Sequence, residues 1–370
     1  MTAVAHDAVM ATYARAGVTF VEGEGCWLVA DDGRRYLDFA GGIAVVGLGH
    51  GHPGPLAAAH EQLDRLWHVS NLYWSEPMTR LAGLLSERFG GAQTFFCNSG
   101  AEANEAAIKY ARKATGRPGI VALEGSFHGR TTGALAATGQ PAKRGAFEPL
   151  LPGVSFARLN DVPSLEAAVG PETGLILIEP VQGEGGVLPA TPAFVAAAAE
   201  LAADHGALLC FDEVQTGVGR TGSFFAFEQL GVRPHLVTLA KGLANGLPIG
   251  ALVAADDAPQ GLEPGDHAST FGGNPVVCAA ACAVVEAVDD ELLANVRDRS
   301  AQLAEALPVR GKGLLLAVEV EAAADVVAAC LDAGLLVTSA GPTTVRLTPP
   351  LTVGADEVVQ AVSILEEVLA

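Results

Sequence analysis

From about residue 75 onward, short apolar runs alternate with longer stretches of helical character. The apolar runs end at turn-forming or polar residues, which is typical of buried strands. Between them lie stretches such as residues 193–205, rich in alanine, the best helix former. This alternation predicts an α/β fold with a largely parallel sheet. The predicted strands are residues 94–97, 119–123, 174–178, 207–211 and 236–239.

The pattern differs at the two ends of the chain. Residues 25–39 alternate between apolar and polar side chains around Asp31-Asp32-Gly33, which predicts a β-hairpin. After about residue 275, two helical stretches precede a strand at residues 314–320. A helix, a strand at residues 345–347 and a closing helix follow, so this part of the chain is predicted to be a smaller α+β domain.

Composition and charge narrow the classes of partner. Half of the 370 residues are apolar, which is enough for a sizeable core. The net charge is −20, from 22 basic and 42 acidic residues. No cluster of Lys and Arg occurs, which argues against nucleic acid or an anionic membrane as a partner and suits a protein that handles small molecules. No apolar run reaches the ~20 residues that span a bilayer.

The cysteines favour a reducing compartment. Six of them are scattered along the chain without a CxxC pair. Cys278 and Cys282 lie four residues apart on a predicted helical face. Further metal ligands are lacking nearby, so buried free thiols are the preferred interpretation and no metal is expected. Residues 1–21 lack the pattern of a secretory signal, and we therefore expect a cytoplasmic protein.

Lys241 is one of only five lysines and lies between an apolar strand and a glycine-rich bend. A buried ammonium is costly unless it is paired or neutralised. Desolvation lowers the pKa of a lysine, and the neutral amine forms Schiff bases with carbonyl groups. The position therefore suggests a covalent anchor for a cofactor. The alternative is an exposed lysine at a strand end.

A second strand end leads into Ser99-Gly-Ala-Glu102 and a helix. Glycine permits close backbone approach, and the free amides of a helix N-terminus suit a phosphate. The alternative is simple capping, because Ser99 and Glu102 form an S-x-x-E capping box. Glu102 would repel a phosphate unless its carboxylate points away.

Two further strand ends carry polar residues. In Glu124–Thr132, Phe127 and His128 offer ring faces, and Arg130 offers a guanidinium for a carboxylate, or else is solvated. A second strand ends in Asp212 and Glu213, where a buried Asp needs a cation such as a protonated pyridine nitrogen. The alternative is a Mg²⁺ ion bound by both carboxylates. It is disfavoured because the side chains of neighbouring strand residues point to opposite faces of the sheet.

Together these motifs resemble the class III family of pyridoxal-phosphate (PLP) aminotransferases over nearly the whole chain. The resemblance implies a PLP-dependent transferase of fold type I, with a mostly parallel seven-stranded sheet. Residues 1–45 are then an N-terminal segment packing with the small domain, 46–270 the large PLP-binding domain, and 271–370 the small domain. The motifs include Asn98-Ser-Gly-Ala-Glu-Ala-Asn104, Phe127-His-Gly-Arg-Thr131, Glu179-Pro-Val-Gln-Gly-Glu184, Phe211-Asp-Glu-Val-Gln-Thr-Gly217, Leu239-Ala-Lys-Gly242 and Thr270-Phe-Gly-Gly-Asn-Pro275.

The resemblance also implies roles in cofactor binding. Lys241 anchors the cofactor covalently and moves a proton, while Asp212 keeps the pyridine nitrogen protonated. The phosphate is bound at Ser99, Gly100 and Ala101. Thr270 reaches the phosphate of a neighbouring subunit, which implies a homodimer with shared active sites. The residues expected around the ring are Phe127, Val214 and Gln215.

For the substrates, the resemblance implies that Arg130 binds the α-carboxylate of the amino donor. Arg346 binds 2-oxoglutarate, and Glu184 masks that arginine while the first donor is bound. Ile43 and Ser269 complete the expected substrate contacts, and an aliphatic Ile43 suits an acylated ornithine. The reaction expected is transfer of the terminal amine of N²-acetyl-L-ornithine to 2-oxoglutarate. The alternatives are another ω-aminotransferase, for 4-aminobutyrate, ornithine, succinylornithine or succinyl-diaminopimelate, or an aminomutase.

Overall fold

The computed structural model describes residues 8–370 as an α/β structure with a smaller C-terminal part. No helix in this range is both long and apolar enough to cross a membrane. The strands are β1 (Phe20–Glu24), β2 (Trp27–Ala30), β3 (Arg35–Asp38), β4 (Ala92–Cys97), β5 (Gly119–Leu123), β6 (Val154–Ala157), β7 (Thr173–Ile178), β8 (Val181–Gln182), β9 (Leu188–Pro189), β10 (Leu208–Asp212), β11 (Leu236–Leu239), β12 (Gly250–Ala255), β13 (Val309–Lys312), β14 (Leu315–Glu319), β15 (Leu335–Leu336), β16 (Thr338–Ser339) and β17 (Thr344–Leu347). The helices are α1 (Gly41–Ala44), α2 (Pro53–Arg65), α3 (Glu76–Phe89), α4 (Gly100–Thr115), α5 (Thr132–Ala137), α6 (Pro141–Arg144), α7 (Val162–Ala168), α8 (Pro192–His205), α9 (Pro275–Ala287), α10 (Asp290–Ala306), α11 (Ala323–Asp332) and α12 (Ala355–Leu369).

The central sheet has seven strands in the order β4-β12-β11-β10-β7-β5-β6. Every neighbouring pair is parallel except those of β12, which is antiparallel to both β4 and β11. The prediction of a mostly parallel sheet is therefore confirmed. The carboxyl ends of the six parallel strands meet at one edge, where ligands gather in folds of this kind.

Both faces of the sheet are buried, and β10 shows how its residues divide between them. Leu208 and Cys210 belong to a cluster with the apolar face of α4. Leu209 and Phe211 belong to the large cluster on the other face. Because successive side chains of a strand point to opposite faces, Asp212 lies on the α4 side and Glu213 on the other.

The helices around the sheet begin and end at recognisable signals. The Thr191 hydroxyl accepts a hydrogen bond from the amide of Phe194, and Pro192 is the first residue of α8. The same helix ends at Gly206, whose φ of 60° suits a residue without Cβ. α8 thereby corresponds closely to the helix predicted at residues 193–205.

The C-terminal part is a four-stranded sheet in the order β13-β14-β17-β16, covered by α10, α11 and α12. The predicted strands at residues 314–320 and 345–347 correspond to β14 and β17. The N-terminal strands form a second sheet, in which the predicted hairpin is formed by β2 and β3. Residues 335–336 of the C-terminal part add the parallel strand β15 to that sheet.

The segment Gly41–Ala44 after β3 has unusual backbone geometry. All four of its residues have φ between 53° and 66°, which makes one left-handed turn. For Ile43 and Ala44 this conformation costs about 1–2 kcal/mol each. The carboxylate of Asp38 accepts hydrogen bonds from the amides of Ala40 and Gly41, which stabilises the start of the turn.

Candidate active site

A cavity of about 420 Å³ opens at the sheet edge where the parallel strands end. Its wall includes residues that follow β4, β5, β7, β10 and β11. The sequence predicts candidate chemistry at four of these five strand ends. The predicted residues in the wall are Ser99, Gly100, Ala101, Phe127, Arg130, Asp212, Val214, Gln215 and Lys241.

Lys241 lies in this wall, two residues after the end of β11. Its φ is 43°, a left-handed conformation that costs a non-glycine residue about 1–3 kcal/mol and is often found at functional sites. Burial lowers the pKa of Lys241, against the attraction of Glu184 and Asp212. Those carboxylates are paired with Arg346 and His128 instead. Burial therefore favours the neutral, nucleophilic form of this amine.

Asp212 is buried on the α4 side of the sheet, with 3% of its surface exposed. Its Oδ2 accepts a hydrogen bond from Asn104 Nδ2 at 2.8 Å and lies 2.7 Å from His128 Nδ1. Its Oδ1 accepts from the amide of Val214 at 3.0 Å. These contacts fix the carboxylate in the cavity wall, where it can hold the protonated nitrogen of a ring.

Asn104 and Glu179 have no predicted role, and His128, which is predicted to offer a ring face, contacts the Asp212 carboxylate. Asn104 bridges Asp212 and the carbonyl of His128. Burial by itself lowers the pKa of His128, but the hydrogen bond and charge of Asp212 raise it above its ordinary value. Glu179 accepts a hydrogen bond from the amide of Phe127, and burial raises the pKa of Glu179 to about 7. Their spacing along the chain gave no signal, because each comes from a different strand end or helix.

The N-terminus of α4 forms the anion-binding end of the cavity. The Ser99 hydroxyl accepts a hydrogen bond from the amide of Glu102, so the predicted cap is present. The Glu102 carboxylate turns back to the amide and side chain of Asn98. The first amides of a helix have no partner within it, which leaves those of Gly100 and Ala101 for a phosphate. Capping and phosphate binding are therefore compatible here.

Close packing explains why residue 100 is glycine. A Cβ on Gly100 would lie 2.7 Å from Cγ1 of Val214, which is closer than such atoms approach. The Val214 side chain thus lies directly against the amide-rich end of α4. Phe127 stands in the same wall, so an aromatic and an aliphatic side chain are both present to contact a planar ring.

Arg346 is fully buried on β17 and points to the Glu184 carboxylate. Nη1 lies 2.5 Å from Glu184 Oε1, and it also donates to the carbonyl of Gly183 and to Gln215 Oε1. Burial raises the pKa of Glu184, but the charge and hydrogen bond of Arg346 outweigh this and lower it below its ordinary value. The predicted arginine and its masking carboxylate are therefore in contact.

Glu213 faces away from the cavity, as the strand alternation requires. Its carboxylate accepts hydrogen bonds from the amides of Ala226 and Phe227, on the opposite side of the sheet from Asp212. Burial raises the pKa of Glu213 to about 8. A metal ion shared by Asp212 and Glu213 is incompatible with this arrangement. No group of three or more His, Cys, Asp or Glu within residues 8–370 is arranged to hold a metal.

Five predicted residues lie outside the cavity wall, namely the paired Glu184 and Arg346, together with Ser269, Thr270 and Ile43. Ser269 and Thr270 line a separate surface cavity of about 700 Å³, where Ser269 Oγ accepts from Asn98 Nδ2. Thr270 is exposed. Ile43 is 40% exposed on the left-handed turn, two residues before Val45, which does line the active-site cavity. Their predicted roles stay predictions.

The residues present fit pyridoxal phosphate. The cavity provides a buried amine for the aldehyde, a fixed carboxylate for the ring nitrogen, and side chains for both ring faces. The amides of the α4 N-terminus are at the end of the wall where a phosphate would lie. Residue 100 is glycine, so no Cβ stands between the Val214 side chain and the start of α4.

Comparison with known proteins agrees with this geometry. The model of the family "Aminotransferase class-III" matches residues 9–369. An acetylornithine aminotransferase of Gloeobacter violaceus is 48% identical, covering 98% of this chain and 96% of its own length. That of Streptomyces coelicolor is 50% identical, covering 95% and 91%. The crystal structure of N-acetylornithine aminotransferase from Stenotrophomonas maltophilia is 35% identical, with a TM-score of 0.84 and 96% coverage of both chains.

The chain belongs to the class III aminotransferase family. It is a PLP-dependent transaminase, and Lys241 and Asp212 both line its cavity. The fold expected from the resemblance is confirmed.

Proposed function

We propose that the protein transfers the terminal amine of N²-acetyl-L-ornithine to 2-oxoglutarate. The products are N-acetyl-L-glutamate 5-semialdehyde and L-glutamate, and the reaction is a step of arginine biosynthesis. The observation that carries the proposal is the ion pair of Glu184 with the buried Arg346, which donates a hydrogen bond to Gln215 in the cavity wall. The acetylornithine aminotransferases that are 48% and 50% identical to the chain support the same reaction.

The cofactor supplies an electron-accepting ring that stabilises negative charge on the reacting carbon. Lys241 provides the amine that holds it, and the same nitrogen carries the proton between substrate and cofactor carbons. Its lowered pKa, caused by burial, makes the neutral form available for both tasks. Asp212 holds a proton at the ring nitrogen, and His128 and Asn104 hold Asp212.

Glu184 and Arg346 allow one cavity to take two different substrates. A donor that reacts through its terminal amine brings a methylene chain to the reacting end. An unpaired arginine near the reacting end would attract the donor's α-carboxylate. The donor would then bind with its carboxylate end, and not its terminal amine, at the cofactor. With Glu184 paired to it, Arg346 is neutralised. For 2-oxoglutarate or glutamate, Glu184 moves aside and Arg346 binds the carboxylate.

Arg130 is the proposed partner of the donor's α-carboxylate. It is exposed at the cavity wall, and its guanidinium carbon lies 5.7 Å from the centre of the Phe127 ring. A guanidinium in this position offers two parallel donors to a carboxylate. Ile43 and Ser269 are proposed as outer contacts of the donor, where an aliphatic residue 43 suits an acylated amine.

A homodimer is the proposed assembly, and the cytoplasm is the proposed location. Thr270 would reach the phosphate bound by a second subunit. Large exposed apolar side chains support this, since a contiguous patch of them marks a contact surface. Leu72 and Trp74 are exposed and line the same cavity as Thr270. Tyr73 lies between them in the chain, Phe271 follows Thr270, and both are also exposed.

A donor panel tests the substrate assignment. The PLP-loaded protein is given 2-oxoglutarate with acetylornithine, ornithine, succinylornithine, succinyl-diaminopimelate or 4-aminobutyrate, and kcat/KM is compared. We expect acetylornithine to rank first. A higher kcat/KM for 4-aminobutyrate or free ornithine would contradict the assignment.

Glutamate alone tests the reaction class. A transaminase converts its bound cofactor to the amine form when glutamate is the only substrate present. An aminomutase has no second substrate and needs no equivalent of the Glu184–Arg346 pair. If glutamate does not convert the cofactor, and the protein instead rearranges a single substrate to a single product, the protein is an aminomutase and the proposed reaction is wrong.

A further inference from the structure

Two cations flank the Phe127 ring at the cavity wall. The guanidinium carbon of Arg130 lies 5.7 Å from the ring centre, and Lys143 Nζ lies 5.1 Å from it. Phe127 and Arg130 belong to the wall, and Lys143 reaches the same ring from α6. A second positive charge therefore contacts the same ring as the arginine proposed to bind the donor's α-carboxylate.

Lys143 is held in this position. Its Nζ donates to Gln140 Oε1 at 2.5 Å, and Gln140 Nε2 donates to the carbonyl of Gly125 at 3.0 Å. The lysine is partly buried, unlike most lysines on protein surfaces. These hydrogen bonds hold the Lys143 ammonium close to the loop that carries Phe127.

These two cations have no anionic partner in the part of the chain that the structure describes. Among residues 8–370, no carboxylate lies within ion-pair distance of Lys143 or Arg130. Burial lowers the pKa of Lys143, and the charges of Arg130 and Arg346 lower it further, against the attraction of Glu184. Glu184 itself is paired with Arg346. Adjacent unpaired cations in a chain with a net charge of −20 indicate a site for ligand oxygens.

The chemistry of an acylated donor matches this pair of charges. The α-carboxylate and the acylated nitrogen are attached to the same carbon, so an acyl oxygen lies within a few bonds of the carboxylate. A residue that binds the acyl oxygen must therefore stand beside the residue that binds the carboxylate. Lys143 is the residue that shares Phe127 with Arg130.

We infer that Lys143 is a specificity-determining residue that binds an oxygen of the donor's acyl group. The inference rests on the proposed function, because it assumes an acylated donor whose carboxylate is bound by Arg130. An acetyl group offers a carbonyl oxygen. A succinyl group offers a carbonyl oxygen and the oxygens of a terminal carboxylate. A charged partner strengthens a hydrogen bond, so a succinyl carboxylate gains more from Lys143 than an acetyl carbonyl does.

The experiment replaces Lys143 with Met, which keeps the length of the side chain but removes its charge. The two half-reactions are measured separately in the PLP-loaded protein, with acetylornithine, succinylornithine, free ornithine or glutamate. We expect kcat/KM for acetylornithine to fall about tenfold, mainly through KM, because a hydrogen bond to a charged group is lost. Succinylornithine should lose more, and free ornithine and glutamate should be little affected.

Two further variants make the result specific. Lys143→Arg keeps the charge and should recover most of the loss. Lys312→Met removes the charge of an exposed lysine on β13 and should leave all four substrates unchanged. If Lys143 only supports Phe127, the Met variant will instead alter the visible spectrum of the bound cofactor and slow the glutamate half-reaction equally. That outcome would overturn the inference.

The parent protein separates failure of this inference from failure of the proposed function. If the parent does not convert acetylornithine, the proposed function is wrong. If the parent converts it and Lys143→Met does so with unchanged kcat/KM, only the role of Lys143 is wrong.

Discussion

Glu184 Oε1 and Arg346 Nη1 lie 2.5 Å apart in an ion pair whose two members are buried to different degrees. The Arg346 side chain is 1% exposed, whereas that of Glu184 is 23% exposed. Arg346 is also held by the Gly183 carbonyl, Gln215 and Thr338. The arginine is thus the more firmly held partner, and the glutamate is the more exposed one, which is the asymmetry that the proposed alternate binding of two substrates needs.

Replacing Glu184 with Ala should change the balance between substrates. Without its mask, Arg346 attracts the donor's carboxylate to the wrong end of the cavity. We expect kcat/KM for acetylornithine to fall about tenfold or more, while that for glutamate is retained, because one charge-assisted contact is removed. Separate measurement of the two half-reactions checks this.

Arg346→Gln should have the opposite effect on the same two half-reactions. The glutamate half-reaction loses its carboxylate partner, whereas the donor half-reaction does not use that arginine and is left with an unpaired Glu184 carboxylate. Equal losses in both half-reactions for either variant would show that the pair serves only to hold the structure together.

Asp212→Asn should abolish most of the activity while the cofactor still binds. Asparagine has the size of aspartate but no negative charge to hold a proton at the ring nitrogen. We expect kcat to fall by roughly 100-fold or more, the range seen when a fixed electrostatic partner of the reacting group is removed. The expected spectral change is a shift in the visible band of the bound cofactor. Near-normal kcat would mean that Asp212 does not contact the ring nitrogen.

Glu213→Gln should affect stability, although residue 213 is the immediate neighbour of Asp212. The glutamine side chain turns an N–H group toward one of two backbone amides that now donate to Glu213, those of Ala226 and Phe227. We expect a loss of about 1–3 kcal/mol in the free energy of unfolding, from a buried donor left unsatisfied. Urea unfolding measures this, and the kcat of the folded protein should be unchanged.

Glu213 also gives an expected dependence of stability on pH. Burial raises its pKa from 4.5 to about 8, so the folded state retains a proton that the unfolded chain releases. Its contribution to stability is therefore complete below pH 4.5 and is lost as the pH rises toward 8. The free energy of unfolding should fall more steeply across this range in the parent than in Glu213→Gln. Parallel curves would show that Glu213 is already ionised in the folded protein.

The sequence predicts those parts of the fold and site that depend on residues close together in the chain. An apolar run followed by a polar residue identified the strand ends at Lys241 and Asp212. The alternation of side chains correctly separated Asp212 from Glu213. The Ser99 capping signal located the start of α4 and hence the amides available to a phosphate.

The rest depends on contacts between distant segments. His128 and Asn104 meet Asp212 only because the carboxyl ends of β5 and β10 and the first turns of α4 come together at one edge of the sheet. The buried position of Arg346 arises because β17 pairs with β14 and approaches the loop at Glu184. The strand β12 was missed, because its apolar run follows a glycine-rich bend and inserts antiparallel between β4 and β11. Periodicity within one segment carries no information on such pairings.

The most direct test of the account follows the visible absorbance of the PLP-loaded protein through one half-reaction at a time. Acetylornithine added without an acceptor should convert the cofactor to its amine form and release one semialdehyde per site. Subsequent addition of 2-oxoglutarate should restore the spectrum, and Lys241→Ala should show neither change. A protein that cannot be loaded with PLP, or whose spectrum is unchanged by acetylornithine, would contradict the account.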